Sequence, residues 1–254
     1  MNVHAAASLG YTGGADTYAR GRPDYPPQLV DWLKQACGLG PGTHALDLGS
    51  GTGKFLSILR RTETQLSAVE PVAAMRQKLV ADNPDATAFE GTAETIPAPD
   101  GTFDAVVCAQ SFHWFATPAA LAEIARVLKP AGTLALVWNV RDERVDWVKA
   151  ITHLIAPYEG DVPRYHTGRW REPFAAGLFQ PLRETQIAWS HPGPAERVIV
   201  DRTCSTSFIA ALPEDERYRV AERLRDLIAA TPELSAGGDV AYPYVTHAFA
   251  ARKA

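Results

Sequence analysis

The sequence predicts an α/β fold: a doubly wound, mostly parallel sheet with a helical cap supplied by the C-terminal half. Three observations carry that reading. Short apolar runs alternate with amphipathic stretches between residues 44 and 138, the pattern of strands joined by crossover helices. The runs at 103–109 and 133–138 are apolar almost without interruption, as strands covered on both faces must be. Glycines on alternate positions, Gly49, Gly51 and Gly53, separate the first strand-like run from a helical pattern, a strand-to-helix turn that needs backbone freedom.

Taken in order, residues 1–15 are rich in Ala and Gly. A lead-in of two tyrosines and two arginines held by prolines (18–27) follows. A helix over 27–37 turns Leu29, Val30 and Leu33 inward and stops at Gly38. Residues 44–48 are the first strand. The glycine turn leads into a helix with Phe55, Ile58 and Leu59 on one face, and 66–69 is the second strand, ending on Glu70. The next helix carries Val72, Met75, Leu79 and Val80 inward until Asn83-Pro84 breaks it; 86–89 is a short strand and 96–101 a loop. The strand 103–109 opens into Gln110–Phe115, and Thr117-Pro118 starts a helix with Leu121, Ile124 and Leu128 inward. Lys129–Gly132 stops that helix before the strand at 133–138. Beyond residue 140 the alternation fails. There is helical potential at 145–155 and 214–230, an arginine- and aromatic-rich loop at 164–171, strand potential at 182–189 and 240–252, and an ambiguous stretch at 198–212. The expected organisation is a lead-in and lid helix (1–40), a ligand-binding core (41–140), cap insertions that hold the substrate (141–180 and 198–235), and terminal strands completing the sheet (181–197 and 236–254).

Composition narrows the class. With 254 residues and 46% hydrophobic content there is material for one α/β domain with insertions. A net charge of -4 argues against non-specific nucleic-acid binding. Cys37, Cys108 and Cys204 are far apart and odd in number, and neither they nor His153, His166 and His191 have metal-ligand spacing, so no metal is expected. No apolar run approaches the ~20 residues of a spanning helix, and the N-terminus lacks a basic-then-apolar leader. A cytoplasmic protein with no membrane or nucleic-acid partner is the expectation, as a monomer or homodimer.

The stretch 44–70 suggests what the fold holds. Glycines let a ligand approach the main chain, the loop feeds a helix N-terminus that favours anions, and a carboxylate at the tip of the next strand can accept from a ribose diol. The unit therefore suits a nucleoside bearing an anionic group. A dinucleotide fingerprint would need glycine at 54, where Lys54 stands. A P-loop would need glycine and Ser or Thr where the chain has Leu48 and Phe55.

The pattern Asp47-x-Gly49-x-Gly51-x-Gly53 resembles motif I of the class I S-adenosylmethionine (SAM) methyltransferases. With it go YARGRPDYP (18–26), LDLGSGTGKF (46–55), VEP (69–71) with Met75, GTAETIPAPDGTFDAVVCAQSFHWF (91–115) and RVLKPAGTLALVWN (126–139). Together these resemble the group containing trans-aconitate and ubiquinone/menaquinone-type methyltransferases, and they cover residues 16–139. The resemblance implies a Rossmann-like, seven-stranded sheet and residue roles. Gly49, Ser50, Gly51 and Gly53 would line the methionine part of SAM, Asp47 would support the loop or meet the amino group through water, and Glu70 would hold the ribose. Pro71 and Met75 would sit beside the adenine, Thr92, Ala93 and Glu94 at its edge, and Gln110 and Ser111 near the carboxylate and sulfonium. Tyr18 and Arg22 would close from the lead-in. His113 is the candidate general base at a strand end. Trp114 and Phe115 are expected as walls. Arg164, Tyr165, Arg169 and Trp170, with Arg171, are expected to meet an acidic substrate, since guanidinium pairs well with carboxylate. The reaction expected is methyl transfer to a small molecule, O-methylation of an acidic or phenolic metabolite being preferred, with S-adenosylhomocysteine as product. The alternatives are an enzyme of the same fold that guides a non-methylating reaction such as a cyclisation, and a nucleotide-binding or NAD-type module.

Overall fold

The structure, a computed structural model, describes residues 22–254. The described residues form a seven-stranded sheet: β1 (His44–Leu48), β2 (Gln65–Val69), β3 (Thr87–Phe89), β4 (Phe103–Ala109), β5 (Leu128–Arg141), β6 (Arg183–Pro194) and β7 (Asp239–Arg252). The spatial order is β3-β2-β1-β4-β5-β7-β6. The first five strands pair in parallel, and β7 runs antiparallel to both β5 and β6. Strand order reverses between β1 and β4, which places a ligand crevice beyond their C-terminal ends.

Helices α1 (Leu29–Cys37), α2 (Leu56–Arg60), α3 (Ala73–Asp82) and α4 (Pro118–Val127) cover the two faces. Side chains alternate across β4, so Val106 and Cys108 join Leu121 and Ile124 of α4 on one face. Ala105 and Val107 join Leu29 and Leu33 of α1 and Leu56 and Leu59 of α2 on the other. That two-sided burial is why β4 reads as a continuous apolar run. The Thr117 side chain accepts from the Ala120 N–H at 3.1 Å, fixing the start of α4. A third core joins α5 (Asp146–Ile155), the segment Val198–Val200 and α6 (Glu214–Ala230) to Tyr242 and Tyr244 of β7. β7 thus bridges the cores: Tyr242 and Tyr244 pack in the third, while Ala248 and Phe249 pack on the two faces of the sheet.

Several expectations are corrected. The helix after the glycine turn has only five residues, Leu56–Arg60. Val80 is exposed: Met75 and Leu79 share one stripe of α3, and a residue one step further lies about 100° around the helix. Lys129–Gly132 lies within β5 as an irregularity, where the register passes from Phe103↔Leu128 to Ala105↔Thr133 and Ala131 takes φ +60°. β6 runs on to Pro194 because β7 pairs it along its whole length, and its prolines are tolerated on an edge strand. The ambiguous 198–212 stretch is helical, a π-helical turn Glu196–Asp201 running into Arg202–Cys204 and then Ser207–Ala210.

Candidate active site

The loops after β1, β2, β3 and β4 enclose one cavity with Asn139 of β5, the lead-in and Arg202. Its floor is the glycine turn. The Gly49 N–H donates to Val69 O at 2.9 Å. Gly49 has φ +70°, and a Cβ there would stand 2.8 Å from Ser111 Cβ. Ser111 in turn donates from Oγ to Leu48 O at 2.7 Å. Gly53, at φ +81°, is packed in the same way, a Cβ there standing 2.7 Å from Asn83 Nδ2, and does not line the cavity. Gly51 differs: at φ +58° a Cβ would meet nothing within 4 Å, and the residue borders the cavity. The outer two glycines serve packing, and the middle one leaves room for a ligand.

Glu70 is held at the tip of β2. Its Oε2 accepts from the Gly51 N–H at 2.8 Å and its Oε1 from the Val72 N–H at 2.9 Å. Burial raises its pKa, while these two hydrogen bonds and the charge of Arg76 act in the opposite direction. Each oxygen retains acceptor capacity. Asp47 is 1% exposed, lines the cavity, and neither carboxylate oxygen has a hydrogen-bond partner among the described residues. Burial, with the Glu70 charge adding to it, pushes Asp47 up to about 8. A cation entering the cavity would find there a carboxylate with its full bonding capacity unspent.

At the far side of β2, Thr92 and Thr95 exchange backbone hydrogen bonds of 3.3 and 3.2 Å, presenting Ala93 and Glu94 to the cavity. Arg126 fastens the loop behind them, donating to Ile96 O at 3.0 Å, Ala98 O at 2.9 Å and Asp100 at 2.6 Å. Gln110 sits at φ +60°, a strained value for a residue with a side chain. It is fixed by its N–H to Val137 O at 2.8 Å and its Nε2 to Asn139 O at 3.3 Å. Opposite, the lead-in is tied down. Asn139 Nδ2 donates to Asp24 O at 2.9 Å, Lys54 binds the Asp24 carboxylate at 3.2 Å and the Arg22 carbonyl, and Tyr25 packs edge-on against Phe55.

The structure brings together Arg22, Asp47, Gly49, Ser50, Gly51, Glu70, Pro71, Met75, Thr92, Ala93, Glu94, Gln110, Ser111 and Trp114 along this one cavity. Tyr18 lies outside the described residues. Other expectations need correction. His113 does not line the cavity: its Nδ1 accepts from Trp138 Nε1 at 3.1 Å, so the neutral ring carries its proton on Nε2. Burial, then the charges of Arg164 and Arg22, push it down to about 3. A ring so placed is a poor base. Trp170 is a core residue, 2% exposed, 4.6 Å from the Trp138 ring and donating to Tyr165 O at 3.1 Å. Tyr165 stacks on the same pair, and Arg169 is exposed outside the cavity. Arg164 lies beneath Phe208, 5.1 Å from the ring centroid, and 3.4 Å from Glu159.

Sequence reasoning missed Lys54, Asn139 and Arg202 as cavity residues. Lys54 and Asn139 were visible as the residue following the last glycine of the turn and the residue following the apolar run 133–138. Nothing in the local sequence marks Arg202, which reaches the cavity from the helical turn Arg202–Cys204. Among the described residues no group of three or more His, Cys, Asp or Glu could hold a metal, and no helix is long and apolar enough to cross a membrane.

Comparison with known proteins decides the family. A methyltransferase domain matches residues 46–136. An uncharacterized methyltransferase of Mycobacterium tuberculosis is 37% identical over 239 residues, covering 94% of this chain and 93% of its own. The chain belongs to the SAM-dependent methyltransferase superfamily. A second uncharacterized methyltransferase-like protein, from Schizosaccharomyces pombe, is 34% identical over 93% of the methyltransferase described here and 92% of its own length. Among solved structures, one assigned as a type II methyltransferase from Anaeromyxobacter dehalogenans is similar in fold, with a TM-score of 0.62 at 23% identity, over 91% of this chain and 96% of its own.

Proposed function

We propose that this methyltransferase transfers the methyl group of SAM to an oxygen of a small acidic or phenolic molecule. The observation that carries the cofactor assignment is Asp47, a buried carboxylate in the cavity wall with no hydrogen-bond partner among the described residues, which fits a ligand bearing an ammonium and a sulfonium. Gly49, Ser50 and Gly51 would line the methionine portion, and Gly53 would hold the turn against α3. Glu70 would accept from the ribose diol with the lone pairs left over from Gly51 and Val72. Pro71, Met75, Thr92, Ala93 and Glu94 would enclose the adenine, with Gln110 and Ser111 beside the reacting end and Arg22 closing from the lead-in.

When bound, SAM supplies an electrophilic methyl carbon on a sulfonium, so the chain's task is proximity, alignment and exclusion of water. The loop after β4 and the lead-in both line the cavity; Trp114 and Phe115 would be its apolar walls, and residues 141–180 and 198–235 would form the cap that selects the acceptor. No proton-accepting role falls to His113, which instead holds Trp138 in place. An acceptor already ionised at neutral pH needs no base, which favours a carboxylate or an acidic phenol over an amine.

Labelled SAM offered with a panel of small carboxylic acids, phenols and amines tests this. Label in an ester or aryl ether is expected. Transfer confined to amines, or binding of S-adenosylhomocysteine with no transfer to any class, would overturn the oxygen assignment, and the latter would favour a non-methylating reaction.

A further inference from the structure

The cavity has a second end that the cofactor assignment leaves unexplained. Glu70, Met75 and Thr92–Glu94 lie on the β2–β3 side, whereas Asn139 and Arg202 lie on the β5 and cap side, across the switch point between β1 and β4. Arginines gather there from separate elements. Arg202, from the helical turn after β6, is 6% exposed and lines the cavity. Its Nε donates to Tyr244 Oη at 3.1 Å and its Nη1 to Thr206 Oγ1 at 3.3 Å; its other N–H groups have no acceptor among the described residues. Arg141, at the end of β5, is the register partner of that same Tyr244. Its Nε is buried and unpartnered, and its side chain makes no hydrogen bond or ion pair with any described residue. Arg164 sits under Phe208, with Glu159 at 3.4 Å. Arg22 lines the cavity mouth and donates to Ser205 O at 3.2 Å, beside Arg202 in the chain.

These groups feel one another. Burial is the main force pulling Arg164 down to about 10, and the charges of Arg141, Arg22 and Arg202 add to it against the opposing pull of Glu159. Arg202 is lowered by burial first, with Arg22 and Arg141 contributing. Among the described residues Glu159, at 3.4 Å from Arg164, is the one carboxylate in ion-pair contact with Arg141, Arg164 or Arg202. Buried like charges without counter-ions work against the fold, and they fit a site whose counter-ion arrives with the ligand.

We propose that Arg141, Arg164 and Arg202, with Arg22 at the mouth, form the acceptor-recognition site for a small molecule carrying at least two negative charges, as carboxylates or phosphates. This rests on the reading of the cavity as the methyl-transfer cleft and deepens it. One anionic group would meet the free N–H groups of Arg202 at the cavity wall. A second would be drawn toward Arg141 and Arg164 behind it.

The test is calorimetric titration of the whole protein with citrate, pyrophosphate and acetate in low-salt buffer, repeated on R141Q and R164Q, with S-adenosylhomocysteine titrated separately. Citrate or pyrophosphate is expected to bind at least tenfold more tightly than acetate, and whichever of the two is tighter distinguishes carboxylate from phosphate recognition. R141Q and R164Q should each weaken that binding by about tenfold to a hundredfold. Without anion, R141Q should melt at or above the wild-type temperature, because it removes a repelling charge and no bond; a purely structural arginine would lower it. If R164Q fails to fold, R141Q decides alone. Dianion binding no tighter than acetate, or affinity unchanged in R141Q, overturns the proposal. Anion recognition without S-adenosylhomocysteine binding would leave this site standing and remove the cofactor reading; the reverse would remove only this site.

Discussion

Alanine at Gly49 and at Gly51 should separate folding from ligand binding within a single turn. Both positions have positive φ, +70° and +58°, so each substitution carries the left-handed penalty of about 1–2 kcal/mol. At Gly49 the new Cβ would also lie 2.8 Å from Ser111 Cβ, 3.1 Å from its Oγ and 3.2 Å from Phe115 Cε1. Relieving that overlap means moving Ser111 off Leu48 O, and overpacking of this kind costs about 1–3 kcal/mol more. G49A should therefore lose about 2–5 kcal/mol and G51A about 1–2 kcal/mol, since nothing lies within 4 Å of a Cβ at Gly51. Urea unfolding measures both. The binding order is the reverse of what stability alone would give: G51A, still folded, should lose S-adenosylhomocysteine affinity because its methyl occupies the open side of the turn. Equal stability losses, or a G51A protein that binds the product as wild type does, would refute this division of labour.

Three further outcomes follow from the same geometry. Asp47 has a folded pKa raised to about 8 from 3.8, so its carboxyl favours folding less as pH rises between those values; D47N should stabilise the ligand-free protein at pH 8, by about 1 kcal/mol or more for a group this buried, and weaken product binding. His113, lowered from 6.5 to about 3, acts in the opposite sense: stability is present above pH 6.5 and is lost as pH falls toward 3, a loss that H113Q should flatten in acid-unfolding curves without introducing a new ionisation into the pH profile of turnover. Arg126 secures the loop from Ile96 to Asp100 with two bonds to main-chain carbonyls and one to a carboxylate; R126A should cost about 1–3 kcal/mol in urea unfolding and raise hydrogen exchange in the loop beside Thr92–Glu94.

Much of this molecule was legible because its signals are local. Two-face burial writes β4 and β5 as apolar runs, a helix cap writes the start of α4, and the glycine turn with Glu70 announces the crevice through backbone needs alone. The chain beyond residue 140 was less legible because its contacts are long-range. Trp170 and Arg171 look alike as exposed loop residues in sequence, yet one is buried against Trp138 and the other lies over the Trp170 ring at 4.1 Å. His113 occupies the strand-end position where a base is expected, and only the Trp138 indole reaching across from β5 shows that its nitrogen is spent. Arg202 could not have been found at all, because its relation to the cavity depends on Tyr244, 42 residues away.

The most direct measurement of the central claim is calorimetric titration of S-adenosylhomocysteine into the wild-type protein and into E70A, with NAD as the control ligand. Micromolar binding to wild type, at least tenfold weaker in E70A, and no heat from NAD is the predicted result. Binding of NAD in place of S-adenosylhomocysteine, or product affinity unchanged when Glu70 is removed, would contradict the assignment of this cavity.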